Sequence, residues 1–337
     1  MKKSLVALAV LAASGVSFAQ SSVTLYGLAD IWFGGVKTTD GVTGNSQTAT
    51  KIDSGGVNTS RWGMKGSEDL GGGLKANFVL EQGFNLDDGS GNVAGQAFSR
   101  YAYVGFSGGF GEVKLGKTGT AYDDVQGASD AVFDSKLSPM NWVFASTGYD
   151  WTAGNSIYYQ APNMGGFSGA ISYALDEKNP ALAKTTSLNL TYGAGPVAVQ
   201  LGYQVEDKDN TVLANGAADA KFTRLGGSYN FGVAALKATY GKVNNVGGTS
   251  GYDATEYQLG VDFPVSSALT LSASYAKSDD SKSVGYEQSR KGYGIGAAYT
   301  LSKRTFVYGG YTANKFTNQN AGDDKLDILA VGVQHKF

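Results

Sequence analysis

The chain has 337 residues, with 49 Gly, 20 Tyr, 16 Phe and 4 Trp, only 5 Pro, no Cys, one His, and 27 basic against 29 acidic residues for a formal charge of −2. The absence of Cys excludes disulfide frameworks, thiol catalysis and Cys-based metal centres, and a single His leaves no His-rich metal site or His-dependent acid and base machinery. A near-neutral, interspersed charge balance also lacks the basic excess of a nucleic-acid binder, so no nucleic-acid partner is expected.

The chain opens on a processing signal. Lys2 and Lys3 form a positive start, Leu5 to Ala13 an apolar stretch and Ser17-Phe18-Ala19 a small-x-small cleavage site. Residues 1–19 are therefore expected to be a cleavable secretory signal peptide, with the mature domain at 20–337 and a mature charge of −4 once two lysines are gone. Beyond it, no stretch reaches the ~20 consecutive apolar residues of a spanning helix. Apolar residues alternate instead with small or polar ones, interrupted by Gly, Asn, Asp and Ser clusters, which is the strand period.

In chain order the alternation predicts strands near 23–35, 57–68, 74–84, 97–106, 111–117, 154–161, 167–175, 186–194, 197–206, 221–229, 233–243, 254–263, 268–277, 290–301, 304–313 and 326–337, sixteen in all. Short connections such as 69–73, 107–110 and 195–196 alternate with long polar ones at 36–56, 207–220, 244–253, 278–289 and 314–325. Short turns on one rim and long loops on the other are the pattern of an outer-membrane barrel. The register agrees: Val197, Val199, Leu201, Tyr203 and Val205 share one face of their strand, and Gln200, Gly202, Gln204 and Glu206 share the other. One face suits lipid and the other water, and a barrel of about sixteen strands is too wide for side chains to fill. Tyr173, Tyr192, Tyr203, Tyr229, Tyr240, Tyr275, Tyr299 and Tyr311 fall on the apolar register near strand ends, where an aromatic girdle sits. The expected fold is all-β, a 16-stranded antiparallel transmembrane β-barrel.

Three strings carry a family resemblance: Ser22-Val23-Thr24-Leu25-Tyr26-Gly27, Ser60-Arg61-Trp62-Gly63-Met64-Lys65-Gly66-Ser67-Glu68-Asp69-Leu70-Gly71, and Gly111-Glu112-Val113-Lys114-Leu115-Gly116-Lys117. With Asn155-Ser156-Ile157, Tyr159 and Pro162, they resemble the general porins of Gram-negative bacteria, of the β-proteobacterial type. The last strand places Leu329, Val331, Val333, His335 and Phe337 on one face. The resemblance implies a homotrimer in the cell outer membrane, in contact with lipopolysaccharide. It also implies passive diffusion of ions and small hydrophilic solutes, no enzyme activity, no cofactor, and Phe337 as the signal read by the barrel assembly machinery.

The family folds its third loop into the barrel, and here that segment is 118–153, the longest connection in the chain. Its acids Asp123, Asp124, Asp130 and Asp134 and its apolar Val132, Phe133, Trp142 and Phe144 suit a packed insertion with a charged edge; a solvated external loop is the alternative. Arg61 and Arg100 resemble the family's basic wall residues. Alternation turns Arg61 and Lys65 inward opposite Trp62 and Met64, Lys114 and Glu112 inward opposite Val113 and Leu115, and Arg100 inward because Tyr101 and Tyr103 suit the lipid face. An Arg on the lipid face would cost ~2–4 kcal/mol. The expected constriction is thus Arg61, Lys65, Arg100 and Lys114 facing Asp123, Asp130 and Asp134. Asp130 and Asp134 share a face if that stretch is helical. Lys75, Glu81, Arg224 and Lys237 read as vestibule charges, and the pairs Asp207 and Asp209, Asp279 and Asp280, Asp323 and Asp324 as loop charge. Three rival functions remain, of which a purely structural barrel with a blocked lumen typically needs fewer strands. An outer-membrane enzyme lacks a base near any nucleophile, since the only His is His335. A substrate-specific channel would need an aromatic track, for which Trp142, Tyr149, Trp151, Tyr158 and Tyr159 are available.

Overall fold

The computed structural model describes residues 22–177, 184–207, 218–280, 287–318 and 322–337. The predicted signal peptide and parts of the long loops lie outside the described residues. The described strands are β1 (Ser22–Thr39), β2 (Ser46–Ser54), β3 (Arg61–Gly71), β4 (Leu74–Gly83), β5 (Tyr101–Gly108), β6 (Gly111–Gly119), β7 (Thr152–Gln160), β8 (Phe167–Ala174) and β9 (Thr185–Ala194). The second half continues with β10 (Val197–Glu206), β11 (Ala220–Asn230), β12 (Ala235–Asn244), β13 (Ala254–Pro264), β14 (Leu269–Asp280), β15 (Glu287–Thr300), β16 (Thr305–Asn318) and β17 (Gly322–Lys336).

Every strand pairs antiparallel with its neighbour in the ring, and β17 returns to β1 with Leu28 opposite Lys336 and Thr39 opposite Lys325. The sheet is closed. It has sixteen positions rather than seventeen, because β2 pairs with the upper part of β1 (Ile31 to Thr39) and β3 with its lower part (Ser22 to Leu28). The expected loop 36–56 is therefore mostly strand, turned at 40–45, while the expected strand 57–68 starts only at Arg61.

What separates β2 from β3 is the Asp30 carboxylate. It is fully buried and accepts the backbone N–H groups of Gly56 (2.9 Å), Val57 (3.2 Å) and Asn58 (2.9 Å) and the Tyr308 hydroxyl (2.6 Å). The chain leaves the ladder here because a buried carboxylate satisfies three backbone donors that would otherwise need sheet partners.

The two faces follow the alternation. Leu188, Leu190, Val199, Leu201, Leu225, Tyr257, Leu259, Leu271, Tyr275, Leu329 and Val331 are exposed, whereas Ser187, Asn189, Gln204, Glu206, Arg224, Glu256, Gln258 and Ser272 on the opposite register are buried. Apolar side chains thus cover the outside, the inverse of a water-soluble barrel. One register differs from expectation. On β5, Val104 and Phe106 are exposed, and Tyr101 and Tyr103 point the other way, against Trp151 and Lys114. The strand begins at Tyr101 rather than 97, so Arg100 precedes it and reaches inward from the loop, not by alternation.

The closing seam ends on Phe337, whose N–H donates to Gly27 O at 3.0 Å and whose carbonyl accepts the Gly27 N–H at 3.1 Å. The aromatic ring lies on Gly27, and a Cβ there would stand 2.4 Å from it. Gly27→Val is expected to force the ring off the seam and cost about 1–3 kcal/mol, as overpacking does. The measurement is the temperature at which the folded barrel loses its compact mobility on a denaturing gel.

Candidate functional site

The segment between β6 and β7 holds two short helices, α1 (Asp123–Gln126) and α2 (Met140–Val143), and 3-10 turns at Val132–Asp134 and Ala145–Gly148. Its backbone donors find acceptors on the polar face of the wall. Ala121 N–H donates to Ser172 Oγ (3.2 Å), Tyr122 N–H to Ser187 Oγ (2.6 Å), Val132 N–H to Ser272 Oγ (2.7 Å), Ser146 N–H to Glu256 Oε1 (3.0 Å) and Asp150 N–H to Glu206 Oε1 (2.6 Å). Farther round, Lys136 N–H donates to Gly56 O (2.8 Å), and its ammonium lies 3.4 Å from Asp53. The segment thereby touches strand after strand from β8 to β14 and then the excursion beside β1. Only a chain lying across the polar side of the ring can do that.

Close approach is made possible by missing side chains. A Cβ on Gly226 would sit 2.1 Å from Ser129 Oγ, and one on Gly294 2.2 Å from Leu137 O. Ala131, Val132 and Leu137 pack with Trp32, Tyr308, Ile328 and Ala330 into one apolar cluster. The charged anchor is Arg224, 1% exposed, which donates to Gln126 O and to Ser146 Oγ (2.7 Å) under the rings of Tyr122 and Phe144. One guanidinium thus ties two distant parts of the segment to β11. Arg224 and Lys237, expected as vestibule charges, both lie against the segment, since Lys237 donates to Asp130 O at 2.7 Å.

The acids divide into two groups. Asp130 is 1% exposed and accepts from Ser138 Oγ (2.8 Å) and Gln258 Nε2 (2.6 Å), so it joins the segment to β13 and does not stand on an open edge. Burial, then the charge of Asp134, pushes its carboxyl well above the usual range against the Ser138 hydrogen bond and Lys237. Nor do Asp130 and Asp134 share a helix face: Val132, Phe133 and Asp134 have φ of 59°, 67° and 48°, a left-handed turn. Asp134 and Asp124 are exposed, and Asp123 is half-buried. Asp123 accepts the Tyr149 hydroxyl. Burial raises its carboxyl to about 6, with Asp124 adding to the shift and Tyr149 and Arg100 opposing it. Asp124 accepts the Tyr158 hydroxyl (2.7 Å) and Asn189 Nδ2 (3.0 Å).

The basic residues stand on β3, before β5 and on β6. Glu81 holds two of them, with Arg100 Nε at 2.6 Å and Arg61 Nε at 3.7 Å, and it also accepts the Tyr26 hydroxyl at 2.9 Å. The Arg100 guanidinium lies 4.7 Å from the Trp151 ring centroid. Lys114 pairs with Glu112 (3.2 Å) and lies over Tyr158 (4.6 Å), and Lys65 lies over Tyr26 (5.0 Å). Arg61, Lys65, Arg100 and Lys114 therefore belong to one stretch of wall, which the segment meets only at its ends, with Trp151 against Arg100 and Asp124 against Tyr158. Glu81 was visible in the sequence only as an inward acid; its bridge between Arg61 and Arg100 depends on pairing β3 with β4 and could not be read from spacing. Of the aromatic candidates, Tyr149 and Tyr158 bind loop acids, and Trp142 donates to Lys136 O within the segment (2.8 Å). Trp151 stacks with Tyr101 and Arg100, and Tyr159 bonds Phe110 O. The acidic loop pairs are engaged within the chain: Asp279 with Lys277 (2.7 Å), Asp280 with Arg290 (2.8 Å), Asp323 with Lys315 (2.5 Å), and Asp324 with the Gly41 N–H (2.7 Å). Asp209 lies outside the described residues.

A closed, antiparallel, sixteen-position barrel with an apolar exterior and a polar interior face is a transmembrane β-barrel of the outer-membrane class. The model of the Gram-negative porin family matches residues 4–319, and the chain belongs to that family. It is similar to outer membrane porin protein 32 of Delftia acidovorans (37% identity over 99% of this chain and 94% of that protein). It is also similar to an outer membrane porin protein of Bordetella pertussis (30% identity over the full length of both). Among solved structures, the anion-selective porin from Comamonas acidovorans superposes with a TM-score of 0.77 at 29% identity, covering 94% of this chain and all of that one. OmpT of Vibrio cholerae, in a loop-deletion form, shares the fold at a TM-score of 0.71 and 18% identity, over 94% of this chain and 99% of that one. The chain is thus an outer-membrane porin, and its relatives are channel proteins.

Arg224→Met removes the guanidinium from beneath the segment and leaves Gln126 O and Ser146 Oγ without their donor. A loss of about 1.5–3 kcal/mol per bond is expected, the worth of a hydrogen bond to a charged group. Thermal unfolding in detergent measures the loss, and single-channel recording should show added current noise as the segment loosens.

Proposed function

We propose that the protein forms a water-filled channel for passive diffusion of ions and small hydrophilic solutes, narrowed between the segment 118–153 and the wall of β3 to β7. The observation that carries this reading is one-sided coverage. The segment is hydrogen-bonded to the wall from β8 to β14 and reaches the β1 side, and the uncovered stretch carries Arg61, Lys65, Arg100 and Lys114. Asp123, Asp124 and Asp134 form the facing acidic edge, with Asp130 beneath it as an anchor. Charges of opposite sign across a narrow lumen set up a transverse field that orients water and dipolar solutes, and the excess sign sets ion preference. Because Glu81 and Glu112 already sit among the basic residues, that preference is weak.

The rim with the short turns and both chain ends faces the periplasm, and the long loops face outward. Residues 1–19 direct export, the barrels assemble as a homotrimer, and Phe337 on its closing strand is what the assembly machinery reads. The one-edged pairing of β2 and the apolar exterior hollow lined by Phe33, Ile52 and Val331 support a subunit contact on that side.

Planar-bilayer recording of the refolded protein tests the reading. Large ohmic steps in groups of three are expected, and Arg61→Ala with Arg100→Ala should move the reversal potential toward cations by about twofold in permeability ratio per charge, since unit charges about 8 Å apart in water interact by ~0.5 kcal/mol. A folded barrel without conductance would overturn the channel reading.

Acidification supplies a second test. With the Asp123 carboxyl raised to about 6, its charge is present at pH 8 and lost by pH 5. The permeability ratio should shift toward anions over that interval by about twofold, the same single-charge effect, and Asp123→Asn should reduce the shift.

A further inference from the structure

One residue of β1 holds both ends and the middle of the excursion between β2 and β3. The Asp30 carbonyl accepts the Gly55 N–H (2.9 Å) where the excursion leaves β2, and the Asp30 N–H donates to Ser60 Oγ (3.0 Å) where it rejoins the wall. Between these two points Oδ1 of the carboxylate takes the Gly56 N–H and the Tyr308 hydroxyl, and Oδ2 takes the N–H groups of Val57 and Asn58. All four donors are neutral groups on a charged acceptor, which makes each bond roughly twice as strong as one between neutral partners.

Two parts of the proposed constriction meet at this excursion. On its loop side, Gly56 O accepts the Lys136 N–H (2.8 Å), Ser54 O accepts the Lys136 ammonium (3.1 Å), and Val57 packs on the cluster that contains Val132 and Leu137. Lys136 is the tip of the segment 118–153. Trp142 Nε1 and Asn141 Nδ2 close the turn behind it, onto Lys136 O and Ser135 O, and Asp134 of the acidic edge stands two residues before it. On its wall side the excursion runs directly into Arg61, the first residue of β3. Thr59 O accepts from Arg61 Nη1 (3.3 Å), and Ser60 O accepts the N–H of Phe84 (2.9 Å), just past β4.

Before the tip, the segment lies on strands of the wall, with the Val132 N–H on Ser272 of β14. At the tip its backbone partner is the excursion, whose own backbone is outside the ladder and is fixed by Asp30. We propose that Asp30 is a positioning residue of the constriction: through residues 55–60 it sets where the loop tip at Lys136 stands relative to Arg61 on the wall. The role rests on the channel reading above, since only a conducting pore makes that spacing matter. Loss of the carboxylate frees the tip alone, because the rest of the segment stays tied to the wall from β8 to β14.

Spin-label spectroscopy of the refolded protein in detergent tests the proposal. The chain has no Cys, so a single introduced Cys takes a nitroxide at one chosen position. Lys136→Cys keeps the backbone bond to Gly56 and reports on the tip, and Ala128→Cys, at an exposed position between the Gln126 and Ser129 anchors, reports on the covered side. Asp30→Asn should enlarge the mobile fraction of the label at 136 by about tenfold, the effect of losing one hydrogen bond to a charged group, and change the label at 128 by less than about twofold. Tyr308→Phe, which leaves three N–H donors on the carboxylate, should give a smaller rise at 136, and it carries the test if Asp30→Asn does not fold. Gly27→Val, which weakens the closing seam, should move neither label, so a barrel that is merely less stable is told apart. Open-channel current noise should rise in the Asp30 and Tyr308 variants and stay at the wild-type level in Gly27→Val. Gel mobility confirms that each sample is folded. An unchanged label at 136 in the folded variants, or an equal rise at 128 or in Gly27→Val, would overturn the proposal. The spectra do not require conduction, so a folded barrel whose tip depends on Asp30 but which passes no current would count against the channel reading alone.

Discussion

A backbone inside a bilayer has no water to bond with, so every N–H and C=O in the wall must find a partner in the wall. Closure of β17 on β1 meets that demand, and much else in the molecule depends on it. An open sheet would leave one edge of β1 and one of β17 unsatisfied in hydrocarbon, at several kcal/mol per group. The register that closes the ring runs from Leu28 opposite Lys336 to Thr39 opposite Lys325 and finishes on the two hydrogen bonds between Gly27 and Phe337. With the ring closed, the two-residue period of each strand becomes an inside and an outside. The exterior is then exposed Leu, Val, Ile and Tyr, as a lipid solvent requires.

The interior poses a different problem, which the segment between β6 and β7 answers. Ser187, Glu206, Arg224, Glu256 and Ser272 are buried, and what buries them is that segment. Its short helices and turns cannot satisfy their own backbone, so the wall supplies the acceptors. Loop and wall each complete the other's hydrogen bonding, an arrangement stable only when nearly every member is paired. Arg224 shows the consequence: a guanidinium beneath the loop is held by a carbonyl, a hydroxyl and two aromatic rings together. Anchored over so many strands, the segment presents a fixed edge to the remaining lumen. In the proposed constriction that edge carries Asp123, Asp124 and Asp134, and the wall across from it carries Arg61, Arg100 and Lys114.

The same charge types serve differently on the two faces of the wall. Toward the lumen, Arg61 and Arg100 share Glu81, and Lys114 pairs with Glu112, so positive charge is held in place and partly neutralised. On the exterior, Lys277 pairs with Asp279 and Lys315 with Asp323 at the long-loop rim. Water in the lumen screens what the protein does not pair, whereas charge on the exterior is paired close to the loops, away from the apolar band.

The strand period is a local property, and so the sequence by itself determined which residues face lipid on β10, β13 and β14, the number of barrel positions, and the inward direction of Arg61, Lys65 and Lys114. It also marked 118–153 as the unusual connection. Where a strand starts is less local. Tyr101 and Tyr103 turn inward because Val104 and Phe106 take the lipid face of β5 and the two rings meet Trp151 and Lys114 on the other, and 57–60 leave the ladder because Asp30, distant in sequence, takes the N–H groups of Val57 and Asn58. Which acids line an opening and which hold the loop was decided only in three dimensions. Asp123 and Asp130 look alike in the chain, yet Gln258 and Lys237 close over one of them from strands more than a hundred residues away. Alternation reports the face of a strand, because that depends on adjacent residues. It cannot report what crosses the lumen to meet that face, because those contacts exist only once the ring has closed.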